Sequence, residues 1–450
     1  MLTAIKNNRS LTFYQFSSIP QSKIDNSYAG GFSSVTVATT VFDTQLQTNR
    51  VTGAFDQLRT AVIDRGKTYA ANSIASRGGF MAEDFVAETY NLDATIKKVD
   101  TPKAVTDKST ASASADITYG NKSASLKFYK DAKSSAKAQL NPEYGEQTRI
   151  VPSDQLSDAQ LPNAKQVIEN IASKNEKKGR GDVAAQQRKV KELLDDRIRG
   201  PEKTESTPLT KKQDMEMAEA ISKDADGNVV VDEAKIDKVM KDTGVTRKVQ
   251  VAKIKNELRG LGIAVAIGAG IGMTIGFVTT LAQSGVSPDS LKLALAEGAK
   301  GGLESGLLSA VGYGVGRTIG EVATQAVAGV LENLGLTITD NLSKMINMGT
   351  VGTLTIVVFS AYQFIKLKCH GVATKDALIQ VGKQALFSLS LLAVSIAAQG
   401  IWGGAAGIIV SVSIGIIMIS YSVVDSVHQR HFAEKIRVYT IEKCYPEFCV

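Results

Sequence analysis

The sequence predicts two parts of different class: an α/β domain in the polar first half and an all-α C-terminal membrane domain of about four Gly-rich helices. Three observations carry this reading. Residues 251–450 hold 15 of the 52 Lys and Arg and 12 of the 45 Asp and Glu, under half the charge density of residues 1–250. The second half contains uncharged apolar stretches long enough to cross a bilayer, which takes about 20 residues. The first half alternates polar and apolar residues around Gly120-Asn121, a hairpin signal. The aliphatic content excludes a disordered chain. Three cysteines, Cys369, Cys444 and Cys449, cannot build a disulfide scaffold and fit a reducing compartment. The start, MLTAIKNNRSLTFYQF, lacks the apolar core of a secretory signal.

Residues 1–75 form an N-terminal segment. Its first 50 residues are Ser/Thr/Asn-rich with β-like runs such as SSVTVATTVF, and 52–75 read as a helix. Residues 76–160 read as the α/β domain. Gly78-Gly79 precede FMAEDFVAETYNL, an amphipathic helix with Phe80, Glu83, Ala87 and Tyr90 on one face. Glu83 therefore points with apolar neighbours. Residues 100–113 read as a polar loop. ADITY, Gly120-Asn121 and KSASLKFY then make a two-residue hairpin that pairs Tyr119 with Lys122, Thr118 with Ser123, Ile117 with Ala124 and Asp116 with Ser125. Asp116, Thr118, Ser123, Ser125 and Lys127 share one face, and Ile117, Ala124, Leu126 and Phe128 the other. A three-residue turn would set Asp116 opposite Leu126 and break this match. DAKSSAKAQL and TRIVPS follow as helix and strand.

A helix glutamate, a strand aspartate, a hairpin and a lysine two residues beyond a polar position resemble the PD-(D/E)xK nuclease core over about residues 76–155. The resemblance implies a restriction-endonuclease-like fold. It implies Asp116 and Glu83 as Mg²⁺ ligands and Lys127 as the lysine that orients or activates water, so Glu83, Asp116 and Lys127 are the candidate catalytic residues. Mg²⁺ needs hard oxygen ligands, lowers the pKa of a bound water and offsets phosphate charge. The sequence departs from the pattern at Ser125, where the family has an acidic residue or Gln. Two readings follow: a weakened or differently supported metal site, or a fold that binds without cleaving.

Residues 161–250 read as a charged helical connector. Its basic residues could contact phosphates, but acids are interleaved and no aromatic is present for stacking, so a solvated helix toward the membrane is favoured. DADGNVVVDEAK (224–235) places Asp224, Asp226, Asn228 and Asp232 at EF-hand ligand positions. Val229 and Lys235 stand where Gly and Glu are required, so it reads as a polar turn between helices. His428, His431, Cys444 and Cys449 match no zinc spacing.

Residues 251–450 read as the Gly-rich transmembrane domain, with spans near 260–288 and 345–365 and a hairpin over 385–424. Residues 290–335 are amphipathic and could lie on the membrane, re-enter it or pack against the spans. Basic residues before Gly260, over 366–383 and after 430 place both termini of a multi-pass inner-membrane protein on the cytoplasmic side. Gly268/272/276, Gly298/302/306 and Gly312/316/320 recur at four-residue spacing, which permits close helix packing within the bundle or between copies in a homo-oligomer. The expected partners are the lipid bilayer, nucleic acid and a second copy of the chain. The expected function is nucleic-acid cleavage or binding at the cytoplasmic face, directed against incoming phage or plasmid DNA. The alternative is a membrane-disrupting or pore-forming effector that uses the glycine faces and the 385–424 hairpin.

Overall fold

In a computed structural model of the chain, the described residues are 22–107, 114–157, 162–284, 287–333, 337–402 and 435. They are mostly helical, with a small mixed sheet and three helices long and apolar enough to cross a membrane. The chain divides into a polar unit, Gln47–Asn256, and a helical unit built from the flanking residues.

Helix α1 (Ser22–Thr68) opens the chain and contributes to both units. Residues 1–50 were expected to hold short β-like runs, and from Ser22 onward they are helical instead. The cause is burial: Val35, Val37, Ala38 and Val41 sit in the core of the helical unit, and packing of that kind overrides the β preference of branched side chains.

In the polar unit, α2 (Ile74–Lys97) begins at Ser73, whose hydroxyl accepts from Ser76 N. Gly78 and Gly79 therefore lie inside the helix. Gly78 is required there because a Cβ would meet the Asp214 carboxylate at 2.7 Å. The sheet runs β1 (Ala104–Thr106), β2 (Ile117–Tyr119), β3 (Lys122–Leu126), β4 (Thr148–Ile150), β5 (Leu194–Asp195) in spatial order. The first three are antiparallel and the last three parallel. The β2–β3 register is the expected one, Ile117 with Ala124 and Tyr119 with Lys122, around Gly120 at φ +64°. The loop expected over 100–113 contains β1. Asn91 fixes this edge strand by donating to Ala104 O at 3.0 Å and accepting from Ala104 N at 2.8 Å.

Helix α3 (Ala132–Gln139) joins β3 to β4, and α4 (Ala164–Lys177) and α5 (Gly181–Leu193) join β4 to β5. The stretch expected as a connector thus completes the sheet and builds a second core, in which Ala136, Ile168, Val190 and Leu194 meet. The first core packs Phe85, Val86 and Tyr90 of α2 against Ile117, Ala124, Leu126 and Ile150. Helix α6 (Lys211–Glu219) precedes a hairpin of β6 (Ile221–Lys223) and β7 (Val229–Val231), followed by α7 (Glu233–Asp242). The EF-hand-like stretch is the turn of that hairpin rather than a turn between helices. Asp224 Oδ1 accepts from Asp226 N at 2.9 Å and Asn228 N at 2.8 Å, which holds the turn.

The helical unit contains α8 (Val245–Ser284, shared with the polar unit), α9 (Pro288–Asn333), α10 (Asp340–Cys369) and α11 (Thr374–Trp402). The stretches apolar enough to cross are Val245–Phe277, Leu342–Cys369 and Thr374–Ala398. Of the three possibilities for 290–335, the structure shows packing: α9 runs antiparallel along α8 and α10. Gly276, Gly272 and Gly268 of α8 meet Glu297–Gly298, Gly301 and Ser305–Ser309 of α9, while Gly312 and Gly316 meet Thr355 and Val351 of α10. All three glycine series are thus engaged within the chain. The second arm of the expected 385–424 hairpin and the His/Cys tail lie outside the described residues.

Candidate active site

The site forms where β2 and β3 separate. Asp116, the residue before β2, still donates its N–H to Ala124 O at 2.9 Å. Its carboxylate replaces the next rung of the ladder: Oδ2 accepts from Leu126 N at 2.6 Å and from Lys127 Nζ at 3.1 Å. Asp116 and Lys127 are therefore brought together by the hairpin register itself. Glu83 comes from α2. The negative charge of Asp116 reaches it, and Arg65 Nη2 donates to Glu83 Oε2 at 2.7 Å. The three residues singled out by sequence thus belong to one electrostatic cluster.

Burial is the largest influence on Glu83 and raises its pKa, the Asp116 charge raises it further, and the Arg65 hydrogen bond opposes both. The outcome is a carboxyl pushed up to about 8, protonated at neutral pH. For Lys127, burial favours the neutral amine. Asp116 and Tyr144 together outweigh it and hold the pKa above the ordinary lysine range. Lys127 is a fixed cation here and suits positioning and charge stabilisation rather than proton abstraction.

Ser125 does not supply the missing ligand. It is fully buried, and its hydroxyl donates to Gln139 Oε1 at 3.3 Å. Gln139 Nε2 in turn donates to Ser125 O and Ile150 O, both at 2.9 Å, and so clamps β3 to β4 from α3. Among the described residues, no three His, Cys, Asp or Glu side chains gather as a metal-ligand group. Asp116 keeps Oδ1 for a cation, and Glu83 would offer a carboxylate only once a cation displaced its proton, so Mg²⁺ here would be carried mainly by water and phosphate oxygens.

Sequence reasoning missed four members of the site. Arg65 lies deep in α1 beside the stacked Tyr69 and Phe80 rings, 5.4 and 5.5 Å from their centroids, and its Nε is 3.7 Å from Asp84 Oδ2. Asp84 is one residue beyond Glu83, and only the fold reveals that both turn to Arg65. Tyr144 carries Lys127 Nζ at 5.1 Å and Arg149 Cζ at 4.9 Å from its ring centroid. Arg149, in the strand TRI, could have been flagged as a charge inside a buried strand. No protein-family model, curated protein or solved structure matches this chain significantly.

Proposed function

We propose that the polar unit binds and cleaves the phosphodiester backbone of nucleic acid, and that the helical unit holds it at the cytoplasmic face of the cell's inner membrane. The observation that carries this is the pairing of Asp116 with Lys127 at the open end of one hairpin, with the buried Glu83 within reach of the Asp116 charge. The order α2, β2–β3, α3, β4 follows the order of parts in the nuclease core that the sequence resembles. Asp116, and Glu83 once the ion displaces its proton, would hold Mg²⁺, which when bound lowers the pKa of a coordinated water and offsets phosphate charge. Lys127, anchored on Asp116 and protonated, donates to the attacked phosphate. Arg65 orients Glu83 through its hydrogen bond. A tethered site of this kind meets DNA as it enters the cell, which supports a role in excluding phage or plasmid DNA.

For the helical unit, the proposal is insertion as a multi-pass bundle with the basic flank 247–259 cytoplasmic. Helix α9, which is not among the three helices apolar enough to cross, crosses with α8 and α10 in this reading because it lies lengthwise between them. Leu303, Leu307 and Val311 face outward, and its Arg317 and Glu304 pair with Glu257 and Lys366. This moves 366–383 to the side opposite the one that its lysines alone predict. Cysteines introduced at Ser287 and Thr337 in a chain freed of native cysteines should then react with an impermeant thiol reagent from opposite sides. Reaction from one side would contradict the crossing.

The full chain in dye-loaded vesicles, given Mg²⁺ and plasmid, should nick the plasmid without releasing dye. Dye release without nicking would overturn the nuclease reading in favour of the pore.

A further inference from the structure

Three arginines of the polar unit are buried, Arg65, Arg77 and Arg149, and they differ in how they are satisfied: Arg65 pairs with the Glu83 carboxyl. Arg77 donates from Nε to Ala218 O and from Nη1 to Ala70 O, both at 3.0 Å, as a structural arginine does. Arg149 is 1% exposed, yet only Nη2 has a partner, Gly145 O at 2.8 Å; Nε and Nη1 have none. No carboxylate pairs with it within 4 Å among the described residues. A buried guanidinium with two unmatched N–H groups is costly unless something else takes them up.

Its position indicates what that is. Arg149 pairs in register with Ser125 of β3, two residues before Lys127, and the Tyr144 ring is shared between Lys127 and Arg149. Tyr144 ends the single turn Pro142–Tyr144, followed by the exposed Gly145 at φ +54°. This short surface turn covers the guanidinium. Arg149 presents a planar fork of donors, a geometry that matches phosphate oxygens.

We infer that Arg149 is the phosphate-binding residue of this site, and that the Tyr144 turn covers it until a phosphate oxyanion displaces the ring. The inference rests on the reading of the site as one for phosphodiesters. The same donor fork would accept free phosphate, so the test separates the two.

The full chain in detergent, with EDTA to prevent cleavage, is titrated into a fluorescent oligonucleotide duplex. Inorganic phosphate is tested separately for its effect on Tm. Arg149→Met should weaken duplex binding at least tenfold and reduce the salt slope by about one. Its Tm should match or exceed wild type, because an apolar isostere removes an unmatched buried charge. Tyr144→Ala should leave duplex binding equal or tighter. Arg149→Lys, which keeps the charge without the fork, should also bind several-fold more weakly, a readout that holds if Arg149→Met folds poorly. Duplex binding by wild type and both Arg149 variants alike would overturn the inference and leave the nucleic-acid reading standing. A phosphate-dependent rise in Tm for wild type but not Arg149→Met, without duplex binding, would support Arg149 as an oxyanion residue and overturn the nucleic-acid reading.

Discussion

The two units differ in where their buried charge is placed. In the helical unit, two charges of the long helix α9 find partners on neighbouring helices: Arg317 Nε donates to Glu257 at 3.0 Å, leaving Nη1 without a partner, and Lys366 Nζ donates to Glu304 at 2.9 Å. Glycines bring the backbones together around them. In the polar unit, charge is gathered at one hairpin end and left incompletely matched: Glu83 is pushed toward its neutral form, and two N–H groups of Arg149 lack partners. The contrast is between helices packed through glycine contacts and a hairpin end where a buried carboxyl is pushed toward its neutral form. Perturbed groups concentrated in one place are what a site of chemistry requires.

The contrast can be broken first at the glycines. Gly272→Leu places a side chain against the Gly301 carbonyl and Ser305, so it should cost about 3 kcal/mol or more and disperse the helical unit, read as loss of a monodisperse thermal transition in detergent. Gly270→Leu, where an added Cβ meets nothing within 4 Å and so points into open space, should be tolerated. Equal behaviour would remove the packing account.

Arg65→Ala comes next. It strips Glu83 of its hydrogen bond and leaves Tyr69 and Phe80 without the cation beside them, and should lower stability by about 2 kcal/mol. An unchanged Tm would show that Arg65 does not hold the cluster.

The smallest effect sharpens the electrostatic half. Between pH 4.5 and about 8, the unfolded chain has released the Glu83 proton and the folded chain retains it. Stability therefore falls as pH rises through that window, by at most about 1.4 kcal/mol per pH unit. Glu83→Gln has no proton to release, so its Tm advantage over wild type should grow from pH 5 to pH 8. A constant difference would place Glu83 in an ordinary environment. Asp214, pushed up to about 6 by burial, contributes in the same direction over a lower range and is unchanged by the substitution.

Much of this was legible in the sequence where periodicity is strong. The hairpin register followed from alternation across Gly120-Asn121, and three of the apolar stretches became helices long enough to cross. Residues 22–50 misled because SSVTVATTVF carries β-branched residues whose helical state is set by partners such as Tyr313, Met348 and Val351, far along the chain. The stretch 161–250 misled because its charge masked a two-residue strand, Leu194–Asp195, too short to leave a pattern. At the candidate site, the pairing of Asp116 with Lys127 was readable from the hairpin register, and the apolar-facing Glu83 from its helix face. Arg65 and Arg149 were not, since each reaches the cluster through tertiary packing rather than spacing.

The central claim is that Asp116 and Lys127 form a phosphodiester-cleaving pair. The most direct test is the single-turnover rate with which the full chain and Mg²⁺ cleave an end-labelled duplex, compared with Asp116→Asn and Lys127→Met. Wild type should cleave, and each variant should lose about a hundredfold or more while still binding the duplex. A wild type that does not cleave, or variants that cleave at its rate, would contradict the account.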